Sequence, residues 1–166
     1  MNLTKLLALF FAFSFSASLL AQQSLPDVNI KTLKGETVNI QDYGKNGKIT
    51  VLSFWATWCS PCKKELDAIA EVYPDWQEEY DMELVAITID NSRALPKVGP
   101  MVKSKGWEYI ILSDVKEDLK RALNFQTVPT TFLIDQNGNI VDVHNGYVSG
   151  DEYELEDKIK KLAANK

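Results

Sequence analysis

Along the chain, apolar and polar positions alternate between a period of two and a period near 3.6, in segments short enough to be single strands and helices. Residues 28–32 and 37–40 alternate on either side of Lys34-Gly35, which predicts a β-hairpin. Residues 49–54 (ITVLSF) are almost continuously apolar or β-branched, the pattern of a central strand covered on both faces. The next segment carries Leu66, Ile69, Ala70 and Tyr73 at helical spacing, with Pro61 suited to its first turn and Pro74 expected to end or kink it. Residues 84–89 (LVAITI) predict a second buried strand, 93–105 a helix opened by Pro96 and disturbed by Pro100, and 109–112 a short strand. A helix with Leu119, Ala122 and Leu123 follows. Residues 131–134 and 140–143, joined through Asn137-Gly138, predict a second hairpin. Ser149-x-x-Glu152 reads as a capping box, and Leu155, Ile159, Leu162 and Ala163 share one face of the last helix. Strands separated by helical crossovers pair in parallel, and the closing hairpin adds antiparallel strands. The predicted fold class is α/β, a mixed central sheet flanked by helices.

Residues 1–21 do not fit this scheme. Lys5 precedes an apolar run at 6–15 (LLALFFAFSF) and a small-residue exit through Ser16, Ala17, Ser18 and Ala21, the layout of a secretory signal peptide cleaved after Ala21. The apolar run is well short of the ~20 residues that cross a bilayer as a helix. Leu19, three positions before the cut, is large for a cleavage site, so an uncleaved N-terminal anchor is the alternative. Residues 22–166 contain no repeat or linker and are expected to form one domain, exported from the cytoplasm, where a disulfide can persist.

Composition narrows the partners. A hydrophobic share of 45% with 25% charged residues describes a globular chain able to bury a core, which excludes disordered, collagenous and multi-span membrane classes. The formal charge is −5, and losing Lys5 with the leader makes it −6. The basic pairs Lys63-Lys64 and Lys160-Lys161 lie inside helical patterns, so there is no basic stripe for nucleic acid.

Two cysteines and one histidine are the whole inventory of soft ligands. Cys59-Ser60-Pro61-Cys62 leaves a buried strand and opens a helix, whose unpaired N–H groups and partial positive charge stabilise an anion. A thiolate at Cys59 is such an anion, and the expected effect is a pKa lowered from ~8.5 to roughly 3.5–7.5. Lys63 and Lys64 stand in the same turn. The two-residue spacing lets Cys62 reach the Cys59 sulfur after it has attacked a substrate disulfide, so Cys59 is the attacking and Cys62 the resolving thiol. A purely structural staple is a poor alternative, because so short a loop gains only about 2 kcal/mol. A structural zinc site wants four ligands, and beyond the cysteines there is only His144, which reads as a surface or edge residue. Val128-Pro129 enters a strand; on the residues alone a cis turn beside the cysteines, offering its backbone to an extended peptide, and a trans bond starting a strand are equally open. Trp55 reads as core and Trp58 as the more exposed of the pair. Glu65 and Asp67 read as a solvated helix face.

Phe54-Trp55-Ala56-Thr57-Trp58-Cys59-Ser60-Pro61-Cys62-Lys63-Lys64-Glu65, followed by Thr127-Val128-Pro129-Thr130-Thr131-Phe132-Leu133-Ile134-Asp135, resembles the thioredoxin superfamily, more narrowly its exported TlpA-like and ResA-like thiol-disulfide oxidoreductases. The resemblance implies a thioredoxin fold with an N-terminal β-hairpin, a helical insertion near 91–107 and a cis bond before Pro129. It implies supporting roles for Trp58, Ser60, Pro61, Val128 and Pro129, and no cofactor beyond the redox-active Cys59/Cys62 disulfide. Three positions depart from the family. Ser53 replaces the buried aspartate that accepts the resolving thiol's proton, Asn91 replaces a glutamate after the second buried strand, and Asp67 replaces a proline. Asp90, beside Asn91, is left as a candidate proton relay. Strongly oxidising relatives carry a histidine where this chain has Ser60-Pro61, so the resemblance implies a periplasmic reductant of exported proteins such as apocytochrome c, fed by a membrane electron donor and related to cytochrome c maturation. A disulfide isomerase or oxidase, and a non-enzymatic copper or haem-handling module, are the alternatives.

Overall fold

A computed structural model describes residues 23–164; the segment expected to be a signal peptide lies outside them. Seven strands form one mixed sheet: β1 (Asn29–Thr32), β2 (Thr37–Asn39), β3 (Ile49–Trp55), β4 (Met82–Thr88), β5 (Ile110–Ser113), β6 (Thr130–Ile134) and β7 (Ile140–Asn145). Their spatial order is β2-β1-β5-β4-β3-β6-β7, with β3, β4 and β5 parallel and the other neighbours antiparallel. The central strands β3 and β4 are buried at every position, as their unbroken apolar runs require. The expected N-terminal hairpin is β1 with β2, and the expected closing hairpin is β6 with β7.

The helices are α1 (Ser60–Tyr80), α2 (Val98–Lys105), α3 (Asp118–Ala122) and α4 (Asp151–Ala163). A short 3-10 turn, Leu95–Lys97, leads into α2 and makes up the rest of the helical insertion. α1 corrects one expectation, because it runs on through Pro74 for six more residues to Tyr80. A proline inside a helix costs ~3 kcal/mol. Here Tyr73, Trp76 and Tyr80 continue the buried face begun by Leu66 and Ile69, and that burial outweighs the lost hydrogen bond. The capping box at Ser149 also fails to form. Gly150 is the residue preceding α4; Glu152 accepts from its N–H at 3.0 Å, and Asp151 accepts from the Val148 N–H at 2.8 Å.

Alternation along β3 and β6 puts Phe54 and Phe132 on one face, where both rings meet Phe125, and Ser53 and Thr131 on the other. α1 and α4 pack against each other and against β3. The β6–β7 ladder is irregular: Leu133 pairs with Asp142 but Ile134 with Ile140, a bulge that leaves Val141 as an extra residue. Gly138 in the connecting turn has φ +82°, and a Cβ there would collide with the Gly44 carbonyl, so the turn needs glycine on both counts.

Candidate active site

β3 delivers the chain to Trp55, three residues form a turn, and Cys59 caps α1. Its Sγ accepts from the Cys62 N–H at 3.3 Å, so the sulfur occupies the place where the first turn of the helix lacks an acceptor. Cys59 and Cys62 are joined as a disulfide. The two sulfurs are not equivalent: Cys59 keeps 4% of its surface exposed, Cys62 none. Beside Cys59 the surface is formed by Ser60, Pro61 and Trp58, whose ring is 67% exposed, while Trp55 is buried edge-on against Trp107. The Lys63 ammonium donates to the Thr57 carbonyl at 3.0 Å and so stays at this turn.

The Val128-Pro129 bond is cis. Val128 is half-buried and Pro129 buried; the Pro129 carbonyl accepts from Gly146 N–H at 2.9 Å, which ties this loop to the end of β7.

Asp90, fully buried after β4, faces the β3–α1 turn. It accepts from the Thr57 N–H and Oγ1, both at 2.8 Å, and from Thr88 Oγ1 at 2.7 Å. These three bonds engage both carboxylate oxygens and make Asp90 an anchor for the turn.

Glu65 overturns its reading as a solvated residue, for it is only 4% exposed. One turn after Cys62 on α1, it projects against the sheet, where Ser53 Oγ donates to one oxygen at 3.2 Å and Thr131 Oγ1 to the other at 2.6 Å. Burial pushes its carboxyl up from 4.5 to about 7, against the pull of the Thr131 and Ser53 hydrogen bonds. Ser53, at the position of the family's usual buried aspartate, thus binds a carboxyl that comes from the helix. Sequence reading missed it because the hydroxyls that bind Glu65 come from two strands whose mutual register no local period reports. Asp67 points elsewhere, accepting from Trp107 Nε1 at 3.0 Å and Lys105 Nζ at 2.6 Å, which braces α1 against the insertion. Among the described residues, no three His, Cys, Asp or Glu side chains are gathered to hold a metal ion, and no helix is long and apolar enough to cross a membrane.

Comparison with known proteins agrees with this geometry. Residues 21–143 match the AhpC/TSA family. The chain is 32% identical over 133 residues to thioredoxin-like protein YneN of Bacillus subtilis, covering 80% of this chain and 75% of that protein. It is 31% identical over 129 residues to thiol-disulfide oxidoreductase ResA of Geobacillus kaustophilus, covering 78% and 71%. The solution structure of a thioredoxin-like protein from Porphyromonas gingivalis matches with a TM-score of 0.75 at 44% identity, over 84% of this chain and 92% of that one. StoA from Bacillus subtilis matches with a TM-score of 0.63 at 28% identity, over 80% and 98%. With its paired cysteines at the head of α1 on a thioredoxin-like fold, the chain belongs to the AhpC/TSA family and is a thiol-disulfide oxidoreductase of the ResA and StoA type.

Proposed function

We propose that the protein works outside the cytoplasm as a reductant, passing two electrons from Cys59 and Cys62 to disulfides of exported proteins, apocytochrome c among them, and regaining them from a membrane donor. The observation that carries this reading is the Cys59/Cys62 pair at the N-terminus of α1 with the buried Glu65 carboxyl one turn behind it.

The Cys59 thiolate, held by the helix N-terminus and the Cys62 N–H, attacks one sulfur of the substrate disulfide; a mixed disulfide forms and the first substrate thiolate leaves. Cys62 is buried, so its thiol needs a base before it can attack. Glu65 takes that proton. The Cys62 thiolate then displaces the second substrate thiolate from Cys59, closing the protein disulfide. Two electrons have gone to the substrate, and the Cys62 proton has been taken by Glu65. No further cofactor enters this scheme. Trp58, Ser60 and Pro61 form the rim around Cys59, and the Val128-Pro129 loop offers backbone groups to an extended substrate segment.

Two measurements test the proposal. Cys59→Ser is expected to abolish insulin-disulfide reduction, and Cys62→Ser to accumulate mixed disulfides; equal residual activity in both would overturn the role assignment. The Cys59/Cys62 potential, from a glutathione or dithiothreitol series, is expected toward the reducing end of the thioredoxin range at about −270 mV, whereas a value near −120 mV would make the protein an oxidase.

A further inference from the structure

Ser53, Thr131 and His144 stand directly opposite one another on β3, β6 and β7. Directly paired side chains share one face of a sheet, so these three form a polar row on the face against which Glu65 is packed. Glu65 binds the first two. The third, His144, sets Nε2 3.0 Å from Asp151 Oδ2, at the first residue of α4. The same Asp151 oxygen accepts the Val148 N–H at 2.8 Å, which fixes the carboxylate in place.

A cleft with about 420 Å3 of empty volume opens between α1, β6, β7 and α4, and Glu65, Thr131, His144 and Asp151 all line it. Glu65 is sealed at its inner end, while the His144 side chain is 38% exposed. The cleft therefore runs from the buried carboxyl to solvent. The room it leaves for a water molecule amounts to about 20 Å3, the scale of a single water, so it suits proton traffic and not a metabolite.

The other titratable groups around Glu65 are committed elsewhere or sit at the rim. Asp142 of β7 is paired with Lys158 of α4 at 2.7 Å. Tyr147, after β7, donates to Glu152 of α4 at 2.9 Å, and burial pushes its hydroxyl up to about 12. Tyr109, before β5, donates to the Leu66 carbonyl, and burial raises it further out of the neutral range. Glu154 lines the cleft from α4. An imidazole, whose two ring nitrogens can accept one proton and donate another, is what His144 brings to this wall. Positive charge on it favours the Glu65 carboxylate, and the Asp151 charge opposes it, so the pair is electrically coupled to the buried acid.

We propose that the His144–Asp151 pair relays protons between Glu65 and solvent through this cleft at every turnover of Cys62, which rests on Glu65 being the proton acceptor of Cys62. While the mixed disulfide stands, the proton that Glu65 has taken from Cys62 crosses the cleft to His144 and passes to bulk water, which keeps Cys62 as the thiolate until it closes the disulfide. When the disulfide is reduced again, one proton returns by the same route to Glu65 and on to Cys62. No electron moves along the row. His144 acts through Glu65 and is a positioning residue.

Reduced protein mixed with an equimolar aromatic disulfide separates the steps, since release of the first thiolate reports attack by Cys59 and release of the second reports resolution by Cys62. His144→Gln is expected to leave the first release unchanged, to slow the second about ten-fold at neutral pH and flatten its pH profile, and to recover with added imidazole. Glu65→Gln is expected to slow the second release without recovery. If His144→Gln keeps the parent rate and profile while Glu65→Gln is slow, the relay is wrong and the acceptor role of Glu65 stands. A slow His144→Gln that imidazole does not restore marks a structural role and also overturns the relay. If Glu65→Gln leaves the second release unchanged, the acceptor role fails and the relay with it.

Discussion

Glu65 holds its proton to a higher pH in the folded chain than in the unfolded one, about 7 against 4.5. Between these values the native state binds more protons, so stability falls as pH rises through the window. The span corresponds to about 3 kcal/mol. Urea denaturation of the disulfide form at pH 5 and pH 7.5 is expected to show this loss, and Glu65→Gln to remove that share of it; parallel pH slopes in the two proteins would contradict the buried titration. At this scale the sequence was legible for the placement of Cys59, Cys62, Trp55 and Trp58, which follows from local position beside a strand end. It was not legible for Glu65 and His144. Each acquires its neighbours from strand register, which places Ser53 and Thr131 beside one and Thr131 beside the other, and no local period in the sequence reports register.

Between elements, the β3–α1 turn is the most exacting junction. Asp90 accepts three hydrogen bonds from within a fully buried position, and two of them come from Thr57, two residues before Cys59. Asp90→Ala would leave buried donors without acceptors, at about 3 kcal/mol. Denaturant titration is expected to show that loss, with a smaller one for Asp90→Asn, which keeps an acceptor oxygen; an Asp90→Ala protein as stable as the parent would mean that the turn holds itself. The elements themselves were visible in the hydrophobic period to within a residue or two. The exceptions arise where long-range burial overrides a local signal: α1 passes Pro74 because Trp76 and Tyr80 are buried beyond it, and the start of α4 is set by Gly150 and Asp151 instead of Ser149.

For the whole molecule, a reductant is one whose disulfide form is favoured over its dithiol form. Chemical denaturation of both forms is expected to show the disulfide form as the more stable, and the opposite order would reverse the assigned direction of electron flow. The α/β architecture and its mixed sheet followed from the element order, because helical crossovers dictate parallel neighbours. The pairing of β1 with β5 did not follow, since nothing local in either segment names a partner so distant along the chain. The bulge between β6 and β7 then carries a consequence of its own. If Val141 were paired in sequence, with Ile134 still opposite Ile140, Val143 would face Thr131 and the imidazole would swing to the reverse of the sheet. One supernumerary residue near a hairpin tip thus decides which side chain completes the polar row, and a lineage could silence or restore that connection by a single-codon insertion or deletion far from either cysteine.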